Sequence, residues 1–387
     1  MLGQPAIQRT DSPDTMSELR FNPDISAFTR QDHSASEEDR LQARQPASAH
    51  RLQNNENPLG PSPRVVEAIR AVAPTLGTYP NYSDIELRRA IVDVLGRGLT
   101  PEQIFTGCSG FEALELIARA TLGPGDEVIV SSPTFTGAYR KVTEPLGAVV
   151  IDVPLEPRTF NYRPESVLGA VTERTRLVMV CNPNNPTGTV ISAAAVEALM
   201  CGLPERALVV ADEVYHQFVD DCDYPDSLRY VLDQRNIVIV HSFSKVYGLA
   251  GLRLGYGIAR PDIANTIAGL HRGFHQNKLA LAAGIAACRD QAHVRRVIET
   301  LRAEARWVCQ QFDRLDIHYW KPAANFILFE TRIPADDLQA QLQQRGLLLR
   351  GQSRNGMPYA MRLSLGTREA NQAFITALED ILFTSGP

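Results

Sequence analysis

Short apolar runs alternate with helix-like segments along the middle of the chain. Five runs of strand length occur between residues 105 and 245, at 127–130, 149–153, 177–180, 208–211 and 237–240. Several of them are apolar at consecutive positions, which is typical of strands covered on both faces. This part of the chain is therefore predicted to form a mainly parallel sheet with helices on both faces, an α/β fold.

Longer helical patterns flank this region, with a few strands between them. We predict helices at 65–72, 86–95, 279–288, 294–312 and 369–382, and strands at 326–329, 347–349 and 361–365. The segments after residue 275 have the order of a smaller α+β domain rather than of a continued parallel sheet.

These patterns predict two domains and an arm. The large domain is expected at 76–275, and the small domain at 276–387 with 51–75 as its N-terminal part. Residues 1–50 are polar and lack periodicity, so we expect an N-terminal arm there and assign it no chemistry.

Composition and charge exclude several classes of function. The 387-residue chain has a formal net charge of −5 and no block of lysine or arginine, so neither nucleic acid nor a membrane is an expected partner. No secretion signal or membrane-length apolar run occurs, which favours a cytoplasmic protein. The six cysteines form no C-x-x-C pair and the eight histidines show no metal-ligand spacing, so no metal site is predicted.

Polar, breaker-rich loops follow four of the predicted strands directly. They are Ser132-Pro-Thr-Phe135, Asn182-Pro-Asn-Asn-Pro-Thr-Gly188, Asp212-Glu-Val-Tyr215 and Ser242-Phe-Ser-Lys245. The carboxyl ends of parallel strands meet at one edge of a sheet, where ligands bind in such folds. The sequence therefore predicts a ligand site at this edge.

Lys245 is the residue in these loops whose chemistry is most specific. The chain has only four lysines against thirty-five arginines, and this one follows an apolar strand directly. A desolvated lysine can lose its proton and form an imine, whereas arginine effectively cannot. A surface lysine in a loop is the alternative interpretation.

The segment Gly107-Cys-Ser-Gly-Phe-Glu-Ala113 opens a predicted helix. Ser109 and Glu112 have the spacing of a capping box, which is a sufficient structural reason for both. The same helix start could also bind an anion through its free N–H groups, with Gly110 allowing close approach. Neither a dinucleotide motif nor a P-loop occurs, so a single phosphate fits better than a polyphosphate.

Several other residues have both a structural and a functional interpretation. Asp212 ends an apolar strand, where it needs a structural ion pair or hydrogen bond, or else holds a protonated ring nitrogen. Tyr215 could contact the same ligand, and Phe135 is either core or a stacking surface. Arg253 and Arg362 are either surface charges or anion contacts, and an arginine turned into a cleft could bind a carboxylate through two N–H groups.

Taken together, these motifs resemble the class I/II, fold-type I aminotransferases that use pyridoxal phosphate. The resemblance covers about residues 51–385. Four further segments are similar to the histidinol-phosphate aminotransferase branch: Asn55-Glu-Asn-Pro-Leu-Gly-Pro-Ser-Pro63, Tyr79-Pro80, the Gly-Leu-Ala-Gly-Leu-Arg-Leu-Gly-Tyr run that ends at Tyr256, and Met361-Arg-Leu-Ser-Leu-Gly-Thr367.

The resemblance implies a role for each site residue. Lys245 would carry pyridoxal 5'-phosphate as a Schiff base and then transfer protons at the substrate α-carbon, in a ping-pong reaction. Asp212 would pair with the ring nitrogen and keep it protonated. The remaining cofactor contacts would be Asn185 and Tyr215 on the phenolic oxygen, Phe135 on the ring, and Ser109, Gly110, Phe111, Ser242, Ser244 and Arg253 on the phosphate. Tyr79 would reach that phosphate from the partner subunit of a homodimer, and Arg362, Arg350 and Asn57 would contact the substrate.

Two departures from the branch leave the substrate open. Ser109-Gly110-Phe111 stands where Gly-Ser-Asp is usual, and Gly273-Phe-His-Gln-Asn277 where Pro-Phe-Asn-Val-Asn is common. The donor is therefore expected to be histidinol phosphate, or an aromatic or other amino acid of specialised metabolism. The alternatives are a decarboxylase, lyase or oxidase on the same scaffold and, more remotely, a non-catalytic regulatory domain.

Overall fold

A computed structural model of the protein describes residues 49–384. The predicted N-terminal arm therefore lies outside the described residues, except for its last two positions. The main sheet has seven strands: β2 (Ile104–Gly107), β3 (Glu127–Val130), β4 (Val149–Asp152), β5 (Thr175–Cys181), β6 (Leu208–Asp212), β7 (Ile237–Ser242) and β8 (Gly255–Ile258). All five strands predicted from apolar runs are among them.

The main sheet is mostly parallel, as the apolar runs predicted. Its strand order is β2-β8-β7-β6-β5-β3-β4. Only β8 runs against its neighbours β2 and β7, and the other pairs are parallel. The carboxyl ends of β5, β6 and β7 therefore lie side by side, which brings their following loops together.

Both faces of this sheet are buried. Successive residues of one strand belong to different cores, with Val209 and Ala211 packed on one face and Val210 on the other. The helices near this sheet are α2 (Ile85–Leu95), α3 (Gly110–Thr121), α4 (Thr136–Thr143), α5 (Pro164–Gly169), α6 (Ala193–Gly202), α7 (Ser227–Leu232) and α8 (Pro261–Ala268). The core on one face includes side chains of α6 and α7, and the core on the other includes those of α3, α4 and α8. The predicted α/β class is confirmed.

A second, antiparallel sheet forms from the C-terminal part of the chain. Its order is β12-β13-β10-β9, and a separate pair joins β1 to β11. The strands are β1 (His50–Arg51), β9 (His318–Tyr319), β10 (Phe326–Glu330), β11 (Leu347–Leu348), β12 (Arg350–Gly351) and β13 (Ala360–Ser364). The helices are α1 (Pro63–Val72), α9 (Lys278–Arg289), α10 (Gln291–Arg314), α11 (Ala335–Gln344) and α12 (Arg368–Thr384). This is the predicted α+β part.

Helix α9 packs against both α1 and α2, so the two parts of the chain are in contact. The boundaries proposed at residues 75 and 275 stay predictions. None of the helices between residues 49 and 384 is long and apolar enough to cross a membrane.

Candidate active site

A cavity of about 320 Å³ lies at the carboxyl-end edge of the main sheet. This is the edge at which the sequence predicted a ligand site. The predicted site residues that line it are Ser109, Gly110, Phe111, Phe135, Asn185, Asp212, Tyr215, Ser242, Ser244, Lys245, Arg253, Arg350 and Arg362. Segments far apart in sequence therefore converge on one space, and only Tyr79 and Asn57 of the predicted set do not line it.

Lys245 lies just beyond β7 and faces into the cavity. Its Nζ donates to the backbone oxygen of Asn54 at 3.3 Å and lies 5.4 Å from the centre of the Tyr215 ring. Burial lowers the pKa of Lys245 to about 8, and the positive charge of Arg362 acts in the same direction. The uncharged amine that a nucleophile requires is therefore far more accessible near neutral pH than in an ordinary lysine, although most of the amine is still protonated at pH 7.

Asp212 ends β6 and is buried at the base of the cavity. Its Oδ2 accepts a hydrogen bond from the Tyr139 hydroxyl at 3.0 Å, and its Oδ1 has no partner among the described residues. Burial raises the pKa of Asp212 to about 6, although the Tyr139 hydrogen bond and the charge of Lys245 oppose this. A buried carboxylate oxygen without a partner is costly, and a protonated ring nitrogen in the cavity would satisfy it.

The start of α3 forms one end of the cavity. Ser109 has a φ of 113° and its hydroxyl accepts from the backbone N–H of Glu112 at 3.3 Å, which is half of the predicted capping box. The other half differs, because the Glu112 carboxylate accepts from the N–H of Cys108 instead of Ser109. Gly255 of β8 is required here, since a Cβ on it would lie 2.3 Å from the nitrogen of Gly110.

This helix start has the groups that an anion needs. The first N–H groups of a helix have no partner within the helix and carry partial positive charge. Ser242, Ser244 and Arg253 line the same cavity, and Arg253 uses Nη1 to donate to the Ala250 oxygen at 3.0 Å. A single phosphate group fits this set of donors.

Two further side chains have hydrogen bonds that leave a donor available. The Oδ1 of Asn185 accepts from Nη1 of Arg362 at 2.6 Å, so its Nδ2 is left to donate. The Tyr215 oxygen accepts from Nδ2 of Asn55 at 2.9 Å, so its proton is left to donate. Phe135 is 41% exposed and stands edge-on to Tyr139, with its ring on the cavity wall.

Arg362 and Arg350 lie at the other end of the cavity. Arg362 is buried in β13 and donates to Asn185 and, through Nη2, to the Gln53 oxygen at 2.6 Å. Its Nε has no partner among the described residues. Burial lowers the pKa of Arg362 to about 10, and the charge of Arg350 also lowers it. We call this the substrate end, and the part built by Ser109, Asp212, Ser242, Lys245 and Arg253 the cofactor end.

The structure does not bring Asn57 or Tyr79 to this cavity. Asn57 is already hydrogen-bonded: its Nδ2 donates to the oxygen of Val246, in the segment after β7, and its Oδ1 accepts from the N–H of Leu59 in its own loop, both at 2.9 Å. The predicted substrate contact of Asn57 therefore finds no support in its position. Tyr79 is 79% exposed and stacks on Phe274 at 4.9 Å, away from the cavity of its own chain.

Sequence reasoning missed Tyr139 and gave no role to Asn55. Tyr139 lies four residues after Phe135, so helical spacing could have placed the two aromatic rings side by side. Asn55 begins the segment Asn55–Pro63, but its hydrogen-bond partners come from distant segments of the chain. The Asn185-Pro186 bond is cis.

The residues present fit pyridoxal phosphate. The cavity provides an amine of lowered pKa, an open carboxylate oxygen, two available donors and a phosphate-binding helix start. No group of metal-ligating residues occurs between residues 49 and 384.

Comparisons with known proteins agree with this geometry. The family model for aminotransferase class I and II matches residues 49–378. A histidinol-phosphate aminotransferase from Moorella thermoacetica is 38% identical, over 86% of this chain and 85% of its own length. Another, from Symbiobacterium thermophilum, is 39% identical over 86% and 90%, respectively.

Comparison with solved structures supports both the fold and the cofactor. The structure of histidinol-phosphate aminotransferase from Sinorhizobium meliloti in complex with pyridoxal-5'-phosphate matches with a TM-score of 0.86 at 25% identity, over 96% of this chain and 100% of that one. Aspartate aminotransferase from Thermus thermophilus matches with a TM-score of 0.75. The chain therefore belongs to the class I and II aminotransferases, in a branch similar to histidinol-phosphate aminotransferase, and is a fold-type I enzyme that uses pyridoxal phosphate to transfer an amino group from a donor to an oxo acid.

Proposed function

We propose that the amino donor is an amino-alcohol phosphate of the histidinol-phosphate type and that the acceptor is a 2-oxo acid. The observation that carries this choice is the pair Arg350 and Arg362 at the substrate end. Two guanidinium groups in one small cavity suit a dianionic phosphate better than a single carboxylate. The names of the relatives at 38% and 39% identity support the same donor.

The proposed roles at the cofactor end follow from the groups that remain available. Lys245 holds the cofactor covalently and then moves a proton at the substrate α-carbon. Its pKa of about 8 allows the amine to accept and return that proton. Asp212 offers Oδ1 to the ring nitrogen and keeps it protonated. The cofactor, when bound, supplies a ring that delocalises the negative charge developing on that carbon.

The other contacts hold the cofactor in place and orient its ring. Asn185 and Tyr215 donate to the phenolic oxygen, and Phe135 covers one face of the ring. The N–H groups of Gly110 and Phe111, the hydroxyls of Ser109, Ser242 and Ser244, and the guanidinium of Arg253 bind the phosphate.

A donor panel tests the substrate. The purified holoenzyme is mixed with histidinol phosphate, histidinol, aromatic amino acids and aspartate, and the visible spectrum of the cofactor is followed in single turnover. We expect conversion to the amine form to be fastest with histidinol phosphate and at least about 100-fold slower with histidinol, because a charged hydrogen-bonding group is lost. Equal rates for the two would refute the phosphate-donor proposal.

We also propose a homodimer in which each Tyr79 reaches the partner's cavity. Tyr79, Tyr82 and Phe274 form an exposed aromatic cluster, with Tyr82 edge-on to Phe274 at 5.4 Å. Exposed apolar clusters of this kind favour a protein interface. The cytoplasmic location expected from the sequence stays a prediction.

Mixed subunits test the Tyr79 proposal. Lys245→Ala and Tyr79→Ala subunits are unfolded together, refolded as a 1:1 mixture and assayed. If Tyr79 acts across the interface, each hybrid dimer has one intact site, and about a quarter of the activity returns by random assortment. If Tyr79 acts within its own chain, both hybrid sites are defective and no activity returns.

A further inference from the structure

Asn55 connects the second sheet to the cavity. It is 1% exposed with a φ of 54°, and its backbone oxygen accepts from Nδ2 of Asn325 at 3.0 Å. Its backbone N–H donates to Oγ of Ser364 in β13 at 2.8 Å, and the same Oγ lies 2.8 Å from its Oδ1. Its Nδ2 donates to the Tyr215 hydroxyl at 2.9 Å. The side chain therefore bridges Ser364 and Tyr215.

We call the series of hydrogen bonds from Ser364 through Asn55 to Tyr215 the relay. The direction of each hydrogen bond in the relay is determined by the neighbouring groups. Ser364 Oγ accepts the N–H of Asn55, so its own proton is available for Oδ1 of Asn55. If the amide were turned round, Ser364 Oγ would face two N–H donors, and its proton would lose the acceptor that Oδ1 of Asn55 now provides. The amide must therefore present Nδ2, a donor, to Tyr215.

This orientation decides what the Tyr215 hydroxyl can do. Its oxygen already accepts from Asn55, and the structure gives this hydroxyl no second partner within residues 49–384. Burial raises the pKa of Tyr215 to about 12, so it keeps its proton at neutral pH. Because Tyr215 lines the cavity, the proton is available only to an oxygen that binds there.

We propose that Asn55 is a positioning residue that makes the Tyr215 hydroxyl a one-way donor to the phenolic oxygen of the cofactor, which rests on the contact of Tyr215 proposed above. Ser364 acts one step further back, by fixing the Asn55 amide. A hydrogen-bond donor on the phenolic oxygen reduces the negative charge on that oxygen. This charge would otherwise favour a proton on the nitrogen that joins Lys245 to the cofactor. Withdrawing the Tyr215 proton therefore raises the pH midpoint at which the bound cofactor changes its visible absorbance.

Asn55→Asp reverses the relay with almost no change of shape. Aspartate tolerates positive φ, can still accept from Ser364, and presents an oxygen where Nδ2 was, so the Tyr215 proton turns toward it. In the holoenzyme we expect the absorbance midpoint to rise by about one pH unit. Ser364→Ala, which frees the amide to turn, is expected to shift the midpoint in the same direction by less.

A double-mutant cycle with Tyr215→Phe separates the relay from a simple charge effect. Tyr215→Phe alone is expected to raise the midpoint at least as much as Asn55→Asp. In the Tyr215→Phe background, Asn55→Asp should add less than about 0.3 unit, because the residue through which it acts is gone. Equal shifts in both backgrounds would show that the carboxylate acts by charge alone, and would overturn the relay.

The two possible failures are distinguishable. An unchanged midpoint in Tyr215→Phe would overturn the proposed cofactor contact of Tyr215, and the relay with it. A shifted midpoint in Tyr215→Phe with none in Asn55→Asp would overturn only the relay. If Asn55→Asp does not fold, as judged by circular dichroism, the same cycle with Ser364→Ala decides.

Discussion

The cofactor end and the substrate end of the cavity differ in how far their hydrogen bonds are already used. At the cofactor end, Asp212 keeps one buried oxygen without a partner among the described residues, and the hydrogen bond from Lys245 to Asn54 is long, at 3.3 Å. At the substrate end, Arg362 already gives two N–H groups to Asn185 and Gln53 at 2.6 Å. The first end has open positions for a ligand, whereas at the second an anion must share Arg362 with these two partners, and only its Nε lacks a partner among the described residues.

The difference has a structural cause. Asp212 and Lys245 follow neighbouring parallel strands, and Asp212 pairs in register with Val240 of β7. Arg362 belongs to the antiparallel sheet, and its partners Gln53 and Asn185 come from two other segments. The cofactor end is therefore held by one sheet, while the substrate end depends on contacts among three separate segments.

Lys245→Ala gives the largest expected effect and tests the open cofactor end. Turnover should fall by about 10⁴-fold, because covalent attachment and proton transfer are both lost. Borohydride reduction should then leave no cofactor attached to the protein, as mass spectrometry would show. Lys141→Ala, at an exposed lysine of α4, is the matched control and should behave as wild type. A stable adduct on another lysine would contradict the assignment.

Arg362→Lys tests the occupied substrate end. Lysine keeps the charge but lacks the planar fork, so its single ammonium cannot replace the separate nitrogens that contact Asn185 and Gln53 and also bind an anion through two N–H groups. The ratio kcat/KM for an anionic donor should fall by roughly 10²-fold, with a much smaller effect on cofactor binding. Arg89→Lys, at an exposed arginine paired with Glu86, is the control. Equal losses of cofactor and substrate binding would remove the distinction between the two ends.

Tyr139→Phe tests whether the second oxygen of Asp212 matters. The Tyr139 hydrogen bond lowers the pKa of Asp212 from the level that burial alone would give, so removing it raises that pKa above about 6. More of the carboxylate is then protonated in mild acid and pairs less well with a protonated ring nitrogen.

The expected result is therefore dependent on pH. Cofactor affinity in the Tyr139→Phe variant should fall about 10-fold at pH 6 and recover most of this loss at pH 8, where Asp212 is ionised again. Equilibrium titration of the apoprotein with pyridoxal phosphate measures it. Tyr230→Phe, at a buried tyrosine bonded to Glu197, is the control. A loss of affinity that is equal at both pH values would mean that Tyr139 only packs the site.

Sequence reasoning worked where function follows from local position. The parallel strands were predicted from consecutive apolar residues, and the loops after them had to meet at one edge, so Asp212, Lys245 and Asn185 could be grouped before the fold was known. The hydrogen bond between the Tyr139 hydroxyl and Asp212 could not be predicted in this way, because it joins residues 73 positions apart. The same holds for Asn55 and Ser364, which are 309 positions apart and meet only when the second sheet forms.

Asn57→Ala has the smallest expected effect on catalysis and tests a prediction that the geometry does not support. Its amide joins Val246 to Leu59, so the side chain stabilises the loop between β1 and α1 and ties it to the segment after β7. Losing two such hydrogen bonds should lower the free energy of unfolding by about 1–2 kcal/mol, measured by urea denaturation. The KM for the donor should stay within about twofold, since the residue lies outside the cavity. A large rise in KM with unchanged stability would instead return Asn57 to the substrate end, and would mean that the loop moves when substrate binds.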